Sequence, residues 1–472
     1  MASTIEADLC VIGAGAAGLS VAAGASQMGA KTVLIERSER MGGDCLNVGC
    51  VPSKALLAAA HAAQVVREAG RFGVNGHEPE IDFAKVHGHV HDVIARIAPI
   101  DSQERFEGLG VTVLREHARF TAGDEVEAGG RRVRARRFVI ATGSRPAVPP
   151  IPGLDRVAYL TNETIFDNRV APAHLVVIGG GPIGCELAQA HRRLGAEVSV
   201  LDLGPILPKD DPDAVDVVRA RLTAEGVSLH EQVEVKGVDP AGNGIRVRFA
   251  AGGRELQVDG SDLLVAAGRT PVFDGLDLEK AGVASDKGGI TVDDRLRTTN
   301  RRIFAIGDVA GQYQFTHVGG YHAGVVIKNA LFRIPAKVDY TALPWVTYTD
   351  PELAHVGQTA AQAGDGANVL RWSFEENDRA QTERSTAGFI KVVIGRGGRI
   401  LGATIVGARA GELILPWVLA VGQKLKIGAM ANLIVPYPTL GEVSKRAAGS
   451  YYTPKLFGGR TRWLVRQLAR LG

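Results

Sequence analysis

The chain has 472 residues, too many for one compact core, and ordinary domain sizes divide it into two to four domains. Apolar residues make up 45% and charged residues 22%, which excludes a disordered or collagen-like chain, while 59 glycines imply many tight turns and close backbone approaches. The formal net charge of +3 gives no global pull toward nucleic acid. No apolar run reaches the roughly 18 residues that span a bilayer, and Met1–Asp8 carries acids where a signal peptide carries bases, so the expected location is the cytoplasm. Four cysteines are too few for a disulfide framework. The close pair Cys45 and Cys50 instead points to redox chemistry or metal binding.

In chain order, Asp8–Ile12 reads as a short strand, followed by Gly13-Ala14-Gly15-Ala16-Ala17-Gly18, an Ala-rich helix, and a strand Thr32–Ile35 ending at Glu36. The same grammar recurs at His174–Ile178, Gly179-Gly180-Gly181-Pro182-Ile183-Gly184, a helix through Leu194, and a strand Glu197–Leu201 ending at Asp202. In each unit the acid lies 23 positions after the first glycine, the spacing of a dinucleotide-binding turn. Gly13, Gly15 and Gly18 in one loop, and Gly179, Gly181 and Gly184 in the other, let backbone approach a pyrophosphate at a helix N-terminus. Glu36 and Asp202 then accept hydrogen bonds from the two adenosine riboses. Asp202 repels a 2′-phosphate, and Leu203, Gly204 and Pro205 bring no arginine to hold one, so NADH is expected over NADPH, with Arg192 and Arg193 the nearest cations that could reverse this.

Between the two units, Pro146, Pro149, Pro150 and Pro152 make Ser144–Gly153 an irregular crossing linker. Ile81–Ile97 reads as a helix on which His87, His89 and His91 cannot share one face, so no metal site is expected there. From about Leu343 a third region alternates apolar and polar residues in Phe389–Ile394 and Ile400–Val406, the pattern of an antiparallel sheet. From Val443 to Gly472 the tail holds seven bases and no acid, with Trp463, Leu464, Leu468 and Leu471 near helical spacing. Such a basic amphipathic helix suits an anionic membrane surface, although a terminal helix packed on a dimer is favoured.

Cys45 and Cys50 sit in Gly42-Gly43-Asp44-Cys45-Leu46-Asn47-Val48-Gly49-Cys50-Val51-Pro52-Ser53-Lys54, which opens a helix through Arg67. A cysteine at a helix start, with Lys54 a turn later, is favoured as thiolate, and four intervening residues allow the sulfurs to bond. No second Cys or His pair has zinc-ligand spacing. Cys10 in a strand and Cys185 in a helix read as small core residues.

This segment resembles the redox helix of the FAD-dependent pyridine nucleotide-disulfide oxidoreductases. The resemblance continues in order through Ala141-Thr142-Gly143-Ser144, Gly268-Arg269-Thr270-Pro271, Ile306-Gly307-Asp308 and Tyr437-Pro438-Thr439. It implies an α/β fold with two Rossmann-like dinucleotide-binding domains and a C-terminal α+β dimerisation domain. The FAD domain would span 1–150 and 273–343, the nicotinamide domain 151–272, and the interface domain 344–472. It implies that Cys45 meets substrate, that Cys50 lies against the flavin, and that Lys54 pairs with Glu186 beside it. Asp308 would bind the ribityl chain, Ala118 the adenine, Gly143 the flavin site, and Gly268 the nicotinamide cofactor. A homodimer follows from the same resemblance, because Tyr437 and Glu442 would reach Cys45 of the other subunit.

The chain also departs from its relatives. Where the disulfide reductases carry His-Pro-Thr-x-x-Glu, with the histidine as base, this sequence has Tyr437-Pro438-Thr439-Leu440-Gly441-Glu442. A tyrosine titrating near 10 is protonated at neutral pH and is a poor base, so fast dihydrolipoamide or glutathione turnover is not expected. Mercuric reductase-like members share this tyrosine but end in a vicinal cysteine pair, and no cysteine follows Cys185 here. Pro182 also stands where several relatives place an aromatic gate. The expected function is electron transfer from NAD(P)H through FAD to Cys45 and Cys50 and on to a disulfide, thiol-bound metal or similar acceptor. Dihydrolipoamide dehydrogenase is the alternative among enzymes, and a low-turnover, membrane-docked redox sensor the alternative of another class.

Overall fold

The computed structural model describes residues 4–471, so the first three residues of Met1–Asp8 and the terminal Gly472 of the basic tail lie outside the described residues. Two compact units emerge. One comprises Met1–Gly179, Ala190–Leu201 and Val233–Val338, the other Gly180–Gln189, Asp202–Gln232 and Asp339–Gly472.

The first unit is built on a seven-stranded sheet. Thr112–Leu114, Thr32–Ile35, Thr4–Ile12 and Arg131–Ile140 lie side by side in parallel, and Ile303–Ala305 also pairs in parallel with Arg131–Ile140. Glu125–Ala128 and Ala118–Ala122 extend it as an antiparallel meander. Thr32–Ile35 is wholly buried, and Leu9–Ile12 and Phe138–Ile140 at the C-terminal ends of the two central strands are apolar and buried, as the covered part of a sheet demands, while the N-terminal halves of those strands carry exposed charged residues. Cys10 lies in register with Val33 and Phe138, fully buried, where burial raises its thiol pKa well above the usual range. In the same unit His174–Ile178 is flanked in parallel by Glu197–Leu201 and Asp262–Val265, next in sequence to a three-stranded antiparallel meander over Glu234–Gly260.

The proline-rich linker is more regular than its sequence suggests. Ser144–Pro146 pairs antiparallel with Arg269–Pro271, and the Ala147 N–H donates to the Gly268 carbonyl at 2.9 Å. Proline's fixed φ is compatible with extended backbone, and on a two-stranded ribbon its missing N–H can face away from the partner.

The second unit centres on a five-stranded antiparallel sheet in the order Pro344–Thr347, Glu352–Gly357, Ile400–Gly407, Phe389–Ile394, Asn368–Ser373. The alternation read in Phe389–Ile394 does not correspond to one wet face, because every residue of that strand is buried. Lys391 is tolerated there because its ammonium meets Asp211 and Asp213, each at 2.6 Å. Trp417 is fully buried and donates its indole N–H to Ser444 at 3.0 Å.

Helix Phe83–Ile97 is capped by Asp82, whose carboxylate accepts the Lys85 N–H at 3.1 Å. The three histidines do not share a face, but His87 and His91 do, with ring centroids 4.1 Å apart. Among the described residues no group of three His, Cys, Asp or Glu is placed to hold a metal ion. The tail helix covers only Gly459–Leu468, so Leu471 falls outside it, and Trp463, Leu464, Val465 and Leu468 are all exposed. Successive residues 463, 464 and 465 spread the apolar surface around the helix, so it has no single clean apolar stripe. No described helix is long and apolar enough to cross a membrane.

Candidate active site

The first glycine loop joins strand Thr4–Ile12 to helix Ala16–Gln27. Gly13 has φ +105°, and a Cβ there would lie 2.4 Å from the Ala141 carbonyl oxygen; a Cβ on Gly18 would lie 1.9 Å from the Gly13 oxygen. Neither position admits a side chain. The helix starts at Gly15 with no side-chain cap and no acid in its first turn. Its first N–H groups therefore suit a pyrophosphate. Glu36 is fixed beside the loop by the Ala14 N–H at 2.6 Å and the Ser38 N–H at 2.7 Å.

Gly42 donates its N–H to the Ala14 carbonyl at 2.9 Å, which brings the cysteine segment to this loop. Cys45 lies in the short helix Gly43–Asn47, and Cys50 is the first residue of helix Cys50–Glu68. The two thiols are hydrogen-bond neighbours. That contact, burial and the Cys50 charge push the Cys45 thiol well above its usual range, against a lowering contact from Thr316. Cys50 has the helix N-terminus on its side and sits 3.5 Å from the Thr316 hydroxyl. The helix N-terminus thus favours negative charge at Cys50, while the raised pKa favours the proton at Cys45.

A polar network fixes this arrangement. Arg269 pairs with Asp44, donates to the Ser144 hydroxyl at 2.7 Å and the Ser144 carbonyl at 3.1 Å, and lies 3.7 Å from Asp308. Ser144 donates to Asp308 at 2.5 Å. Burial raises the Asp308 carboxyl pKa, opposed by Ser144 and Arg269.

Residues 7–323 match the family model described as "Pyridine nucleotide-disulphide oxidoreductase", and residues 343–448 match its dimerisation domain. The chain belongs to this family. A mercuric reductase of Streptomyces lividans is 36% identical over 455 residues, 94% of this chain and 96% of that one. A dihydrolipoyl dehydrogenase of Bacillus subtilis (strain 168) is 34% identical over 456 residues, 94% of this chain and 96% of that one. Among solved structures, LpdA from Mycobacterium tuberculosis has a TM-score of 0.86 at 26% identity, covering 95% of this chain and 99% of that one. The HOCl-induced flavoprotein disulfide reductase RclA from Escherichia coli has a TM-score of 0.85 at 26% identity, covering 94% and 99%.

As a member of this FAD- and pyridine nucleotide-dependent family, the protein is an oxidoreductase with the family's dimerisation domain. Its residues fit FAD at the first loop: a cradle that side chains would fill, an uncapped helix start, and Glu36 and Asp308 as acceptors. Gly143 has φ +72°, with nothing within 4 Å of a Cβ placed on it. Ala118 is buried opposite Ala128 at the start of its strand. Gly268, at φ +117°, belongs to the crossing ribbon.

Of the second glycine loop, Gly179 belongs to the first unit and Gly180, Gly181 and Gly184 to the second. In the first, a Cβ on Gly179 would lie 2.4 Å from the Ala266 oxygen. In the second, Asp202 accepts the Gly180 N–H at 2.5 Å and the Gly204 N–H at 2.7 Å, and a Cβ on Gly181 would meet nothing within 4 Å. Gly184 and buried Cys185 lie on helix Pro182–Arg193. Arg192 bonds the Ala196 carbonyl at 3.1 Å, and ten residues of helix, roughly 15 Å, separate it from Pro182. Glu186 is buried and accepts the Tyr348 N–H at 2.9 Å. Lys54, half-buried on the redox helix, lies 3.4 Å from the Ser53 hydroxyl.

Tyr437 is exposed, and its hydroxyl donates to Asp378 at 2.7 Å; that bond and the Asp378 charge raise its pKa further. Glu442 is held instead by Arg446 at 3.0 Å.

Arg269, Thr316, His322 and Asp378 were not singled out in the sequence. Buried His322 accepts the Gly307 N–H at Nδ1, 3.1 Å away, next to Asp308, and burial depresses its pKa to about 4. A depressed histidine contributes stability above its unfolded value near 6.5 and loses it as pH falls toward 4. Unfolding free energy measured between pH 7.5 and 4.5 should therefore fall by on the order of 3 kcal/mol more in the wild type than in His322→Asn. An equal fall in both would remove this role from His322.

Proposed function

We propose that the protein is an NADH-dependent, FAD-containing reductase of mercuric reductase-like type, passing electrons to the Cys45–Cys50 disulfide and on to a disulfide or thiol-bound metal acceptor. The observation that carries this reading is the Tyr437 hydroxyl, which donates to Asp378 and so acts against any role as a base. In this reading 1–150 and 273–343 bind FAD, 151–272 bind NADH, and 344–472 form the dimer interface. Lys54 pairs with Glu186 beside the flavin, and Tyr437 and Glu442 approach Cys45 across the dimer. Cytoplasmic residence belongs to the same reading.

Bound FAD supplies two-electron transfer from the nicotinamide to the disulfide. The chain's own part is to manage protons. Two electrons and one proton open the Cys45–Cys50 bond, leaving a Cys50 thiolate beside Thr316 and a Cys45 thiol. To attack a disulfide, Cys45 must then lose its proton to a base. A metal cation supplies that driving force itself, because coordination deprotonates a thiol. Acceptors of the second kind therefore suit this site better. Dihydrolipoamide dehydrogenase is the second reading, supported by 34% identity to the Bacillus subtilis enzyme.

NADH added without air should raise a long-wavelength charge-transfer band that Cys50→Ser abolishes and that Cys45→Ser shows without reductant; the reverse pattern would exchange the roles of the two sulfurs. For cofactor choice, kcat/KM should favour NADH over NADPH by at least about tenfold, and Asp202→Ala should narrow that ratio. A wild-type preference for NADPH would defeat the ribose argument. Activity toward lipoamide should be weak and should rise about tenfold or more in Tyr437→His, where Asp378 can orient the imidazole, while acceptors fed directly by FAD stay unchanged. Strong wild-type lipoamide turnover, unaffected by Tyr437→Phe, would restore the second reading.

A further inference from the structure

The first unit holds a cavity of about 440 Å³ lined by Arg137, Arg295, Arg297, Asn329, Arg333 and Pro335. It lies away from the redox pair. Asn329 is thirteen residues along the helix from Thr316, the neighbour of Cys50, a separation of roughly 20 Å along its axis. Arg137 is three residues before Ile140 on the central strand, roughly 10 Å from the glycine-loop end.

The four guanidiniums are not balanced locally. Among the described residues, Asp8 on the paired strand is committed to Arg136 at 3.2 Å and Asp294 to Lys337 at 2.6 Å, and Asp293 accepts the backbone N–H groups of Arg295 and Arg297 at 2.8 and 2.9 Å without an ion pair to either guanidinium. Arg137 finds only the Arg136 carbonyl, at 2.8 Å. The Nε of Arg297 is buried with no hydrogen-bond partner. Burial, with the charges of Arg136, Arg302, Arg333 and Arg297, lowers the Arg137 pKa. Gathering uncompensated cations in this way opposes folding, and a buried donor without an acceptor adds to that.

The cluster is also held in place. Buried Asn329 donates to the Val325 and Ala336 carbonyls at 3.0 and 2.8 Å and accepts the Ala336 N–H at 3.3 Å. Ile334 donates its N–H to Lys328 at 2.9 Å. These bonds fix the loop after the helix and keep Arg333 in the left-handed region at φ +55°, unusual for a non-glycine residue. A strained loop that carries one more cation to three others is the form of a site built for a multivalent anion.

We propose that this cavity binds a short phosphate chain, either the di- or triphosphate of a nucleotide or free inorganic pyrophosphate or tripolyphosphate. Guanidinium forks match phosphate oxygens two at a time, and several phosphates in a row answer several arginines. The lining has no aromatic wall on which a base could stack, so the phosphate chain is the recognised part. The volume lies within the range of small-molecule sites.

The test uses the FAD-loaded dimer at low salt, because charge-driven binding is screened as ionic strength rises. Calorimetric titration with tripolyphosphate, pyrophosphate, ATP and citrate should show one tripolyphosphate per chain. Arg137→Gln combined with Arg297→Gln should weaken it by at least about tenfold, with NADH-driven reductase activity unchanged. Equal affinity for ATP and tripolyphosphate assigns the site to the chain alone, and tighter ATP assigns it to a nucleotide. Each variant removes a like charge, so the melting temperature without ligand should hold or rise. If the double variant does not fold, exposed Arg333→Gln alone carries the comparison. Absence of binding, unchanged affinity in the variants, or citrate bound as tightly as tripolyphosphate would overturn the proposal.

Discussion

Arg269 ties together parts of the chain that are far apart in sequence. Its guanidinium engages Asp44 next to Cys45, Ser144 on the opposing strand of the ribbon, and, through Ser144, Asp308. A half-exposed pair of this kind would contribute little, but the Arg269 side chain is only 15% exposed and its donors have several acceptors, so removing it would strand two carboxylates. One largely buried cation thus sets where Cys45, the ribbon and Asp308 lie relative to one another.

Helix Thr316–Ala330 complements that anchor. Its first residue contacts Cys50, His322 holds Gly307 beside Asp308, and Asn329, one heptad after His322 and so on nearly the same face, closes the loop under the arginine cavity. Three functions are spaced along one rigid rod, each by a side chain that bonds backbone or sulfur. This follows from the low tolerance of a buried interior for unpaired polar groups: wherever a polar side chain enters, its partner's position is fixed as well.

Where chemistry was written in local order, the sequence disclosed it. Strands Thr32–Ile35, His174–Ile178 and Glu197–Leu201 have the bounds that their apolar runs imply, and the cysteine segment does begin a helix at Cys50. What could not be read were meetings across the topology. Arg269 stands beside Gly268 in a segment already noted, yet nothing local says that it reaches Asp44. Asp378 lies 59 positions before Tyr437, and the four arginines of the cavity come from three separate stretches, of which only the one ending at Arg137, Arg131-Arg132-Val133-Arg134-Ala135-Arg136-Arg137, is a basic run. Pro146 alone misled in the other direction, since an extended ribbon accepts proline at its edge, whereas Pro149, Pro150 and Pro152 do lie in irregular backbone.

The choice between a metal-accepting and a dithiol-oxidising enzyme turns on one proton. Identities of 36% and 34% over nearly the same share of this chain set the mercuric reductase and the dihydrolipoyl dehydrogenase side by side. In the proposed reading the two acceptor classes part at the step after the disulfide opens, when the Cys45 proton must go somewhere. Cys45 holds that proton tightly, since its thiol is raised by the neighbouring Cys50 charge, and the residue at the histidine position has its own proton committed to Asp378. Glu442 is drawn toward Arg446. In the proposed reading Tyr437 supplies no base, which favours an acceptor that lowers the thiol pKa by binding to it, as a soft metal cation does and a disulfide does not.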